Sequence, residues 1–113
     1  MSDKRRQNRF NCDILLNKVE DGHTNVCLAT DLSLGGMRLE RLAEPFRSTS
    51  DQVQLQFLLP GDEDPIWVAG TRVHEADGSL GVRFTNISHS HFVKLRNWIR
   101  NKNLDQTLPQ FTA

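Results

Sequence analysis

Residues 10–32 read Phe10-Asn-Cys-Asp-Ile-Leu-Leu-Asn-Lys-Val-Glu-Asp-Gly-His-Thr-Asn-Val-Cys-Leu-Ala-Thr-Asp-Leu32. The run begins with apolar residues at every second position, from Phe10 to Leu16, as in a strand with one buried face. Asp21-Gly22 is a residue pair that two-residue hairpin turns favour, and a second strand-like run follows it. The sequence therefore predicts an antiparallel hairpin over residues 10–32.

Further short strands follow the hairpin and are separated by residues typical of turns. The pattern predicts strands at residues 37–39, 52–58, 66–74 and 80–84. Proline, glycine and small polar residues occupy the intervening stretches, as expected of loops on a protein surface. Residues 10–84 are therefore expected to form five or six short strands without an internal repeat.

The spacing of the apolar residues changes from every second position to a helical period only near the C-terminus. Phe92, Leu95 and Ile99 recur at helical spacing, and Ser88 or Ser90 can supply an N-cap oxygen. We therefore predict an all-β fold with one C-terminal helix. A small antiparallel barrel, plugged or flanked by that helix, is favoured over an open sheet because closure removes exposed strand edges.

Length and charge limit the possible functions. The chain has 113 residues, with 14 basic and 14 acidic side chains, and a chain of this size buries enough surface for one core. Zero net charge argues against a protein that coats nucleic acid, because such binding depends on excess positive charge. No apolar run approaches the roughly 18 residues of a membrane span, and the N-terminus lacks the apolar core of a signal peptide. The sequence predicts a cytoplasmic protein without membrane or nucleic-acid partners.

The cysteine and histidine residues form no catalytic or metal-binding pattern. Cys12 and Cys27 lie in apolar stretches without a Cys-x-x-Cys motif, which favours two reduced, buried thiols. His89 and His91 are two residues apart, on different faces of a helix, with no carboxylate pattern to complete a zinc site. The sequence also lacks nucleophile-elbow, phosphate-loop and metalloprotease motifs. We therefore expect neither an enzyme nor a bound cofactor or metal.

Two short motifs stand out from this background. Residues 5–9, Arg-Arg-Gln-Asn-Arg, form the arginine motif, which Lys4 precedes, and taken alone they indicate a solvated basic tail. Residues 31–36, Asp-Leu-Ser-Leu-Gly-Gly, form the Asp-Ser-Gly motif, which taken alone indicates a turn. We divide the chain into a flexible basic arm (1–9), the barrel with its helix (10–103) and a C-terminal tail (104–113).

In this order and at this spacing, the two motifs together resemble the PilZ domain family. The resemblance covers nearly the whole chain, because a Gly81-Val-Arg-Phe84 strand before a terminal helix also fits the family. It implies a six-stranded antiparallel β-barrel that binds the bacterial second messenger cyclic di-GMP (c-di-GMP). The simplest interpretation of Gly81 is close packing at a bend of the barrel.

The chemistry of c-di-GMP gives each motif residue an expected role. Arg5 and Arg9 carry planar guanidinium groups that pair bidentately with phosphate oxygens or with the O6 and N7 atoms of guanine. Asp31 is an acceptor only, which suits the N1–H and N2–H donors of guanine. Ser33 offers a hydroxyl to a phosphate or a base. Gly36 lets the backbone turn tightly and approach the ligand without a Cβ.

The basic residues beside Arg5 and Arg9 bear on stoichiometry. The resemblance implies that the position before the arginine motif influences whether one ligand or an intercalated ligand dimer binds, with a basic residue favouring the dimer. That residue is more usually arginine in the family, so Lys4 adds charge without the guanidinium fork. We expect Lys4 and Arg6 to join the ligand-binding residues. Lys4 favours the dimer, and the stoichiometry is left open.

The function implied is a receptor that couples c-di-GMP binding to ordering of its arm and to a downstream protein partner. A dianion could draw the arm onto the barrel and create a shape that another protein recognises. The alternative is a protein-interaction adaptor of the same fold that does not bind the nucleotide. A third hypothesis, a barrel for single-stranded nucleic acid, is disfavoured because the aromatic residues mostly occupy inward positions, whereas such a barrel needs exposed stacking platforms.

Overall fold

The computed structural model describes residues 9–43, 50–76 and 78–107. They form the strands β1 (Phe10–Glu20), β2 (His23–Leu32), β3 (Gly36–Ala43), β4 (Gln52–Phe57), β5 (Ile66–Ala76) and β6 (Ser79–Ile87), and the helix α1 (His89–Thr107). The strands close into a barrel in the order β1-β2-β3-β6-β5-β4, and every neighbouring pair is antiparallel. The predicted fold class, a small antiparallel barrel with a C-terminal helix, is confirmed.

The first hairpin forms where the sequence predicted it. Glu20 of β1 pairs with His23 of β2, which leaves a two-residue turn. Both turn residues have positive φ, 49° at Asp21 and 79° at Gly22, as the hairpin turn matched to strand twist requires. An Asp-Gly pair meets that demand because both residue types tolerate this conformation.

One hydrophobic core fills the barrel and extends under the helix. Leu95 and Ile99 of α1 are 0% and 4% exposed and belong to the same buried cluster as the inward side chains of the strands. The helix begins where Ser88 accepts a hydrogen bond from the backbone N–H of His91 through its Oγ, at 3.2 Å, a capping contact that satisfies an otherwise unpaired donor. The apolar spacing in the sequence thus identified the face of the helix that covers the barrel.

Charged side chains replace apolar ones at one end of the barrel interior. The inward alternation of β1 continues through Leu16 to Lys18 and Glu20, which are 0% and 2% exposed. Lys18 Nζ lies 3.1 Å from Glu20 Oε1, and Arg72 of β5 donates to the other oxygen of the same carboxylate. Burial of one carboxylate is tolerated here because two cations surround it.

The ends of the chain differ in part from the predicted division. The helix continues to Thr107, four residues into the segment predicted to be a tail. Residues 1–8, which hold most of the predicted arm, and residues 108–113 lie outside the described residues. Within the described ranges no helix has both the length and the apolar character needed to cross a membrane.

Candidate ligand-binding site

Irregular strand pairing turns Asp31 towards the barrel exterior. On β2 the buried positions run through Asn25, Cys27 and Ala29 and resume at Leu32, so the alternation slips by one residue. The slip coincides with register shifts against both β1 and β3 at this point. Strict alternation would bury Asp31, whereas a β-bulge re-aims the side chain. The carboxylate therefore lies on the outer surface.

The end of the arginine motif meets the start of the Asp-Ser-Gly motif at this carboxylate. Asn11 pairs with Asp31 across β1 and β2, which brings Arg9 alongside it. Arg9 Nη2 donates to Asp31 Oδ1 at 2.6 Å, and Arg38 Nε lies 3.8 Å from Oδ2. Asp31 is therefore flanked by two guanidinium groups, and the three side chains together carry a net positive charge.

Ser33 stabilises the turn between β2 and β3. Its side chain is 0% exposed; Oγ accepts a hydrogen bond from Gly35 N at 3.2 Å and donates to Gly36 O at 3.3 Å. The Ser33 backbone N–H also donates to Gly36 O, at 2.9 Å. In this conformation Ser33 shapes the turn that leads into Gly36, and its expected contact with a ligand stays a prediction.

Gly36 is required by close packing of β3 against β6. A Cβ on this residue would lie 2.3 Å from the carbonyl oxygen of Val82, far inside van der Waals contact. Gly36 has no positive φ, so the tight-turn reason expected from the sequence does not apply. The missing side chain instead lets β6 approach β3, beside the pocket that Gly36 helps to line.

An open pocket of about 540 Å³ lies on the outer surface of the barrel, next to Arg9, Gly36 and Arg38. Its volume falls within the range of roughly 300–1,000 Å³ that small-molecule sites occupy. Its described lining holds three arginines and one histidine and no carboxylate: Arg9, Gly35, Gly36, Met37, Arg38, Val73, His74, Gly81, Val82 and Arg83. Such a pocket suits an anion that also presents planar or apolar surface.

The structure brings part of the predicted site together. Arg9 and Asp31 are in contact, Gly36 lines the pocket and Ser33 lies beneath the connecting turn. The predicted site residues Lys4, Arg5 and Arg6 fall outside the described residues.

Arg38, His74 and Arg83 belong to neither of the two motifs, and they line the pocket together with Gly81. Arg38 and Arg83 alternate with the buried residues Leu39 and Val82 of their strands, so strand parity alone could have placed them outside the barrel. Gly81 was interpreted as a packing residue, and it also lies on the surface of the pocket.

Cys12 lies beside the site with an unreactive thiol. Burial raises the pKa of Cys12 to about 11, and the neighbouring carboxylates of Asp31 and Asp13 add to the rise. Its Sγ donates a hydrogen bond to the carbonyl oxygen of Ala29, at 3.4 Å. Both cysteines are free thiols, and a thiol with this pKa is almost wholly protonated near neutral pH.

The histidines form no metal centre in the described part of the chain. Across residues 9–43, 50–76 and 78–107 no group of three or more His, Cys, Asp or Glu side chains could hold a metal ion. His91 contacts the backbone of Trp67 through Nδ1, 3.2 Å from the nitrogen and 3.4 Å from the oxygen. That contact fastens the start of α1 to β5.

The described residues thus form a closed six-stranded barrel with a C-terminal helix and an external basic pocket on β3, β5 and β6. The family model named PilZ domain matches residues 3–101, and the chain belongs to the PilZ domain family. Members of this family are typically non-catalytic receptor domains. Among curated proteins, no sequence matches the chain significantly.

Solved structures of low sequence identity share the fold. The inhibitor of motility MotI/DgrA of Bacillus subtilis has a TM-score of 0.74 and 15% identity over 89% of this chain and 52% of that chain. YcgR of Escherichia coli in complex with c-di-GMP has a TM-score of 0.65 and 21% identity over 96% and 50% of the two chains. The chain thus spans about half the length of these two proteins, 52% and 50%.

An isolated PilZ domain of known structure is similar in length to this chain. The PilZ domain of Escherichia coli YcgR with c-di-GMP has a TM-score of 0.62 and 18% identity, and the match covers 97% of this chain and 99% of that domain. At these identities the similarity concerns the fold.

Proposed function

We propose that the protein is a receptor for c-di-GMP, bound at the pocket beside Arg9 and Asp31. The observation that carries the proposal is the contact between these two residues, 2.6 Å from Nη2 to Oδ1. It joins the two separate motifs at the rim of a pocket lined by three arginines. Similar folds have been solved with c-di-GMP in YcgR, which supports the same class of ligand here.

The pocket and the Asp31 carboxylate beside it offer groups that suit a cyclic dinucleotide. Arg9, Arg38 and Arg83 offer guanidinium donors to two phosphates, and charge-assisted pairs of this kind are roughly twice as strong as neutral hydrogen bonds. Asp31 offers acceptor oxygens to the N1–H and N2–H donors of a guanine. Because Asp31 already contacts Arg9, ligand binding requires the carboxylate to share its acceptor sites or to exchange Arg9 for the base.

The proposed receptor also uses the basic arm of residues 1–9 to contact the ligand. Arg5, Arg6 and Lys4 would approach the ligand from the chain that leads into Arg9, and the pocket wall begins at Arg9. Ordering of this segment lowers affinity by its entropy but creates a surface that a downstream protein can recognise. Intercalated dimer binding stays the favoured stoichiometry, because the family resemblance links a basic residue at the position of Lys4 with the dimer.

Isothermal titration calorimetry with matched variants tests the proposal. Arg9→Ala and Asp31→Ala should each lower the affinity for c-di-GMP by roughly 1.5–3 kcal/mol, the value of a hydrogen bond to a charged group. Arg100→Ala is the matched control, because Arg100 is exposed on α1 and belongs to neither motif. Equal affinities for the intact protein, Arg9→Ala and Asp31→Ala would refute this site.

The same titration separates the receptor from the adaptor. A folded intact protein that takes up no c-di-GMP would reject the receptor and leave the PilZ-fold adaptor as the function. The number of ligands bound per chain, one or two, decides the role expected of Lys4.

A further inference from the structure

Apolar side chains gather on the outer surface of the barrel around β1. Leu15 of β1 is 62% exposed, the highest value among the large apolar side chains of the described residues. Its register partner on β2 is Leu28, and the exposed Val26 follows two positions away on the same surface. On the other side of β1, continuing the register against β4 makes the exposed Leu58 the next neighbour of Leu15. We call these four residues the apolar face.

The apolar face lies on the opposite side of the barrel from the ligand pocket. In the closed order β1-β2-β3-β6-β5-β4, three steps separate β1 from β6 in either direction, and the pocket is lined by β3, β5 and β6. It reaches the first strand only at Arg9, about 20 Å of extended chain before Leu15. Single exposed apolar residues need no explanation, whereas contiguous ones mark interaction sites. The proposed ligand site does not account for this face.

The polar side chains within the apolar face are paired with each other. Asn17 Nδ2 donates to Gln56 Oε1 at 3.1 Å, across β1 and β4, so part of their hydrogen bonding is already satisfied when a partner covers them. A pocket of about 260 Å³ opens beside these two amides and is lined by Asn17, Gln56, Phe57, Leu58, Glu63 and Pro65. A partner can place an anchoring apolar side chain there, as the centres of protein interfaces commonly do.

Acidic side chains border the apolar face. Asp13 is exposed on β1, Glu40 of β3 is exposed and pairs in register with Leu28, and Glu63 lines the smaller pocket. Within β1, β2 and β4 the only lysine or arginine is Lys18, which is buried. A second copy of the chain would therefore bring no cation from these strands to the acidic border. The charge pattern instead favours a partner that carries basic residues beside its apolar contact.

The strand pairing determines how a partner can bind. Residues 16–19 of β1 pair with β2 on one side and with β4 on the other, so no free edge is available there for an added strand. Recognition must therefore use side chains. The three strands β4, β1 and β2 span two strand spacings, about 9.5 Å, which is close to the diameter of roughly 10–12 Å of one helix with its side chains. An amphipathic helix fits this width and presents its apolar residues along one stripe.

We propose that the apolar face is a docking surface for a partner protein that presents an amphipathic helix, with an apolar stripe bordered by lysine or arginine. The inference goes beyond the proposed receptor function, because the face lies away from the pocket and docking on it requires no c-di-GMP. Leu15 is the central contact, and Glu40 and Glu63 select a basic partner. Opposite positions on the barrel let one chain hold a ligand and a partner at the same time.

A synthetic peptide helix of leucine and lysine, about five turns long with its leucines on one face, is the probe. NMR titration of the isotope-labelled 113-residue protein should shift the amide signals of β1, β2 and β4 around Leu15. Leu15→Ser should weaken peptide binding about tenfold, as the loss of a central interface contact does. Because Leu15 is exposed, this variant should fold and bind c-di-GMP like the intact protein. Val73→Ser, an exposed apolar residue of β5 outside the apolar face, is the control and should keep the peptide affinity.

Reversal of one border charge tests the choice of a basic partner. Glu40→Lys should weaken binding of the leucine–lysine peptide about fivefold and strengthen binding of a leucine–glutamate peptide with the same spacing, because like charges across an interface repel. Asp51→Lys is the matched control, since it reverses an exposed charge at the opposite end of β4 from Leu58 and should leave both affinities unchanged.

Three results would overturn the docking surface. The first is peptide binding that Leu15→Ser and Val73→Ser affect equally, and the second is equal affinity of the intact protein for the two peptides. The third is a different occupant of the face. Sedimentation velocity would reveal a second copy as a dimer that Leu15→Ser dissociates, and nuclear Overhauser contacts from Leu15 to residues 108–113 would reveal the C-terminal segment of the same chain.

The docking surface and the proposed function can fail separately. If the intact protein binds the leucine–lysine peptide through Leu15 but takes up no c-di-GMP, the receptor function is rejected and the docking surface stands. If c-di-GMP binds and Arg9→Ala weakens it, while the peptide does not bind, the receptor stands and the docking surface is wrong.

Discussion

Arg9 Nη2 donates a hydrogen bond to Asp31 Oδ1 at 2.6 Å, which joins residues 22 positions apart in the chain at the rim of one pocket. The pair is partly open to water, with 47% of the Arg9 side chain and 21% of the Asp31 side chain exposed. Exposed ion pairs contribute little to folding because solvent screens them. The pair therefore contributes little to the stability of the barrel, as the proposed binding role allows.

Arg9→Ala should separate stability from binding. We expect the free energy of unfolding to fall by less than about 1 kcal/mol, as for other exposed ion pairs. Affinity for c-di-GMP should fall by more than stability does, because a phosphate of the bound ligand then lacks its guanidinium partner. Urea unfolding and calorimetry on the same preparation make the comparison, and a loss of stability larger than the loss of affinity would contradict it.

Gly36→Ala should damage the barrel. The added Cβ would lie 2.3 Å from the carbonyl oxygen of Val82, so β3 and β6 must move apart beside the pocket. Forcing atoms into a packed region costs about 1–3 kcal/mol, and urea unfolding should reveal a loss of this size. Gly81→Ala is the matched control because its Cβ has ordinary contact distances; equal unfolding midpoints for the two variants would show that β6 does not need a glycine at 36.

Glu20→Ala should be among the most destabilising single changes. Glu20 is 2% exposed and accepts contacts from Lys18 and Arg72, so its removal leaves the buried Lys18 cation without this carboxylate. Breaking a buried ion pair on one side costs about 3–5 kcal/mol. Denaturant unfolding of Glu20→Ala is compared with that of Glu40→Ala, an exposed carboxylate on β3, and similar stabilities would exclude a structural role for the buried cluster.

Cys12 should report on the charge of Asp31. Its pKa is raised to about 11 by burial and by the carboxylates of Asp31 and Asp13, so iodoacetamide should alkylate it slowly at neutral pH and faster as the pH approaches 11. Asp31→Asn should lower the pKa of Cys12 and speed alkylation at a fixed alkaline pH. Peptide mass spectrometry measures Cys12 separately from Cys27, and an unchanged rate in Asp31→Asn would contradict the electrostatic contribution.

The Cys12 thiol also makes the free energy of unfolding depend on pH in the alkaline range. A thiol whose pKa in the folded protein is above its ordinary value of 9.0 favours folding while both states are protonated. That contribution is lost as the pH rises from the ordinary value towards about 11, since the unfolded chain releases its proton first. Cys12→Ser should therefore show a shallower decline in unfolding free energy across this interval than the intact protein.

Much of this fold could be predicted from the sequence, because alternation and turn chemistry are local. Asp21-Gly22 marked the first hairpin, and the spacing of Leu95 and Ile99 marked the covering face of the helix. The same alternation extends to Lys18 and Glu20 and would have placed them inside, but a charged residue at an inward position is explained only by its partner. Arg72, which contacts Glu20, lies 52 positions away.

The candidate site depends on features that no local pattern contains. Strict alternation on β2 would bury Asp31, and only the bulges seen in the strand pairing turn it outwards. Arg38, Gly81 and His74 become neighbours through the register of three strands, two of which follow a loop whose length does not fix the pairing. The two motifs point to the candidate site, and the tertiary register supplies the rest of the pocket wall.

Calorimetric titration of the intact 113-residue protein with c-di-GMP is the most direct test of the account. The account predicts saturable binding at micromolar or tighter affinity, which the Arg9→Ala and Asp31→Ala variants reduce and the Arg100→Ala control retains. Absence of any binding heat from a folded preparation, or binding that neither Arg9 nor Asp31 affects, would contradict it.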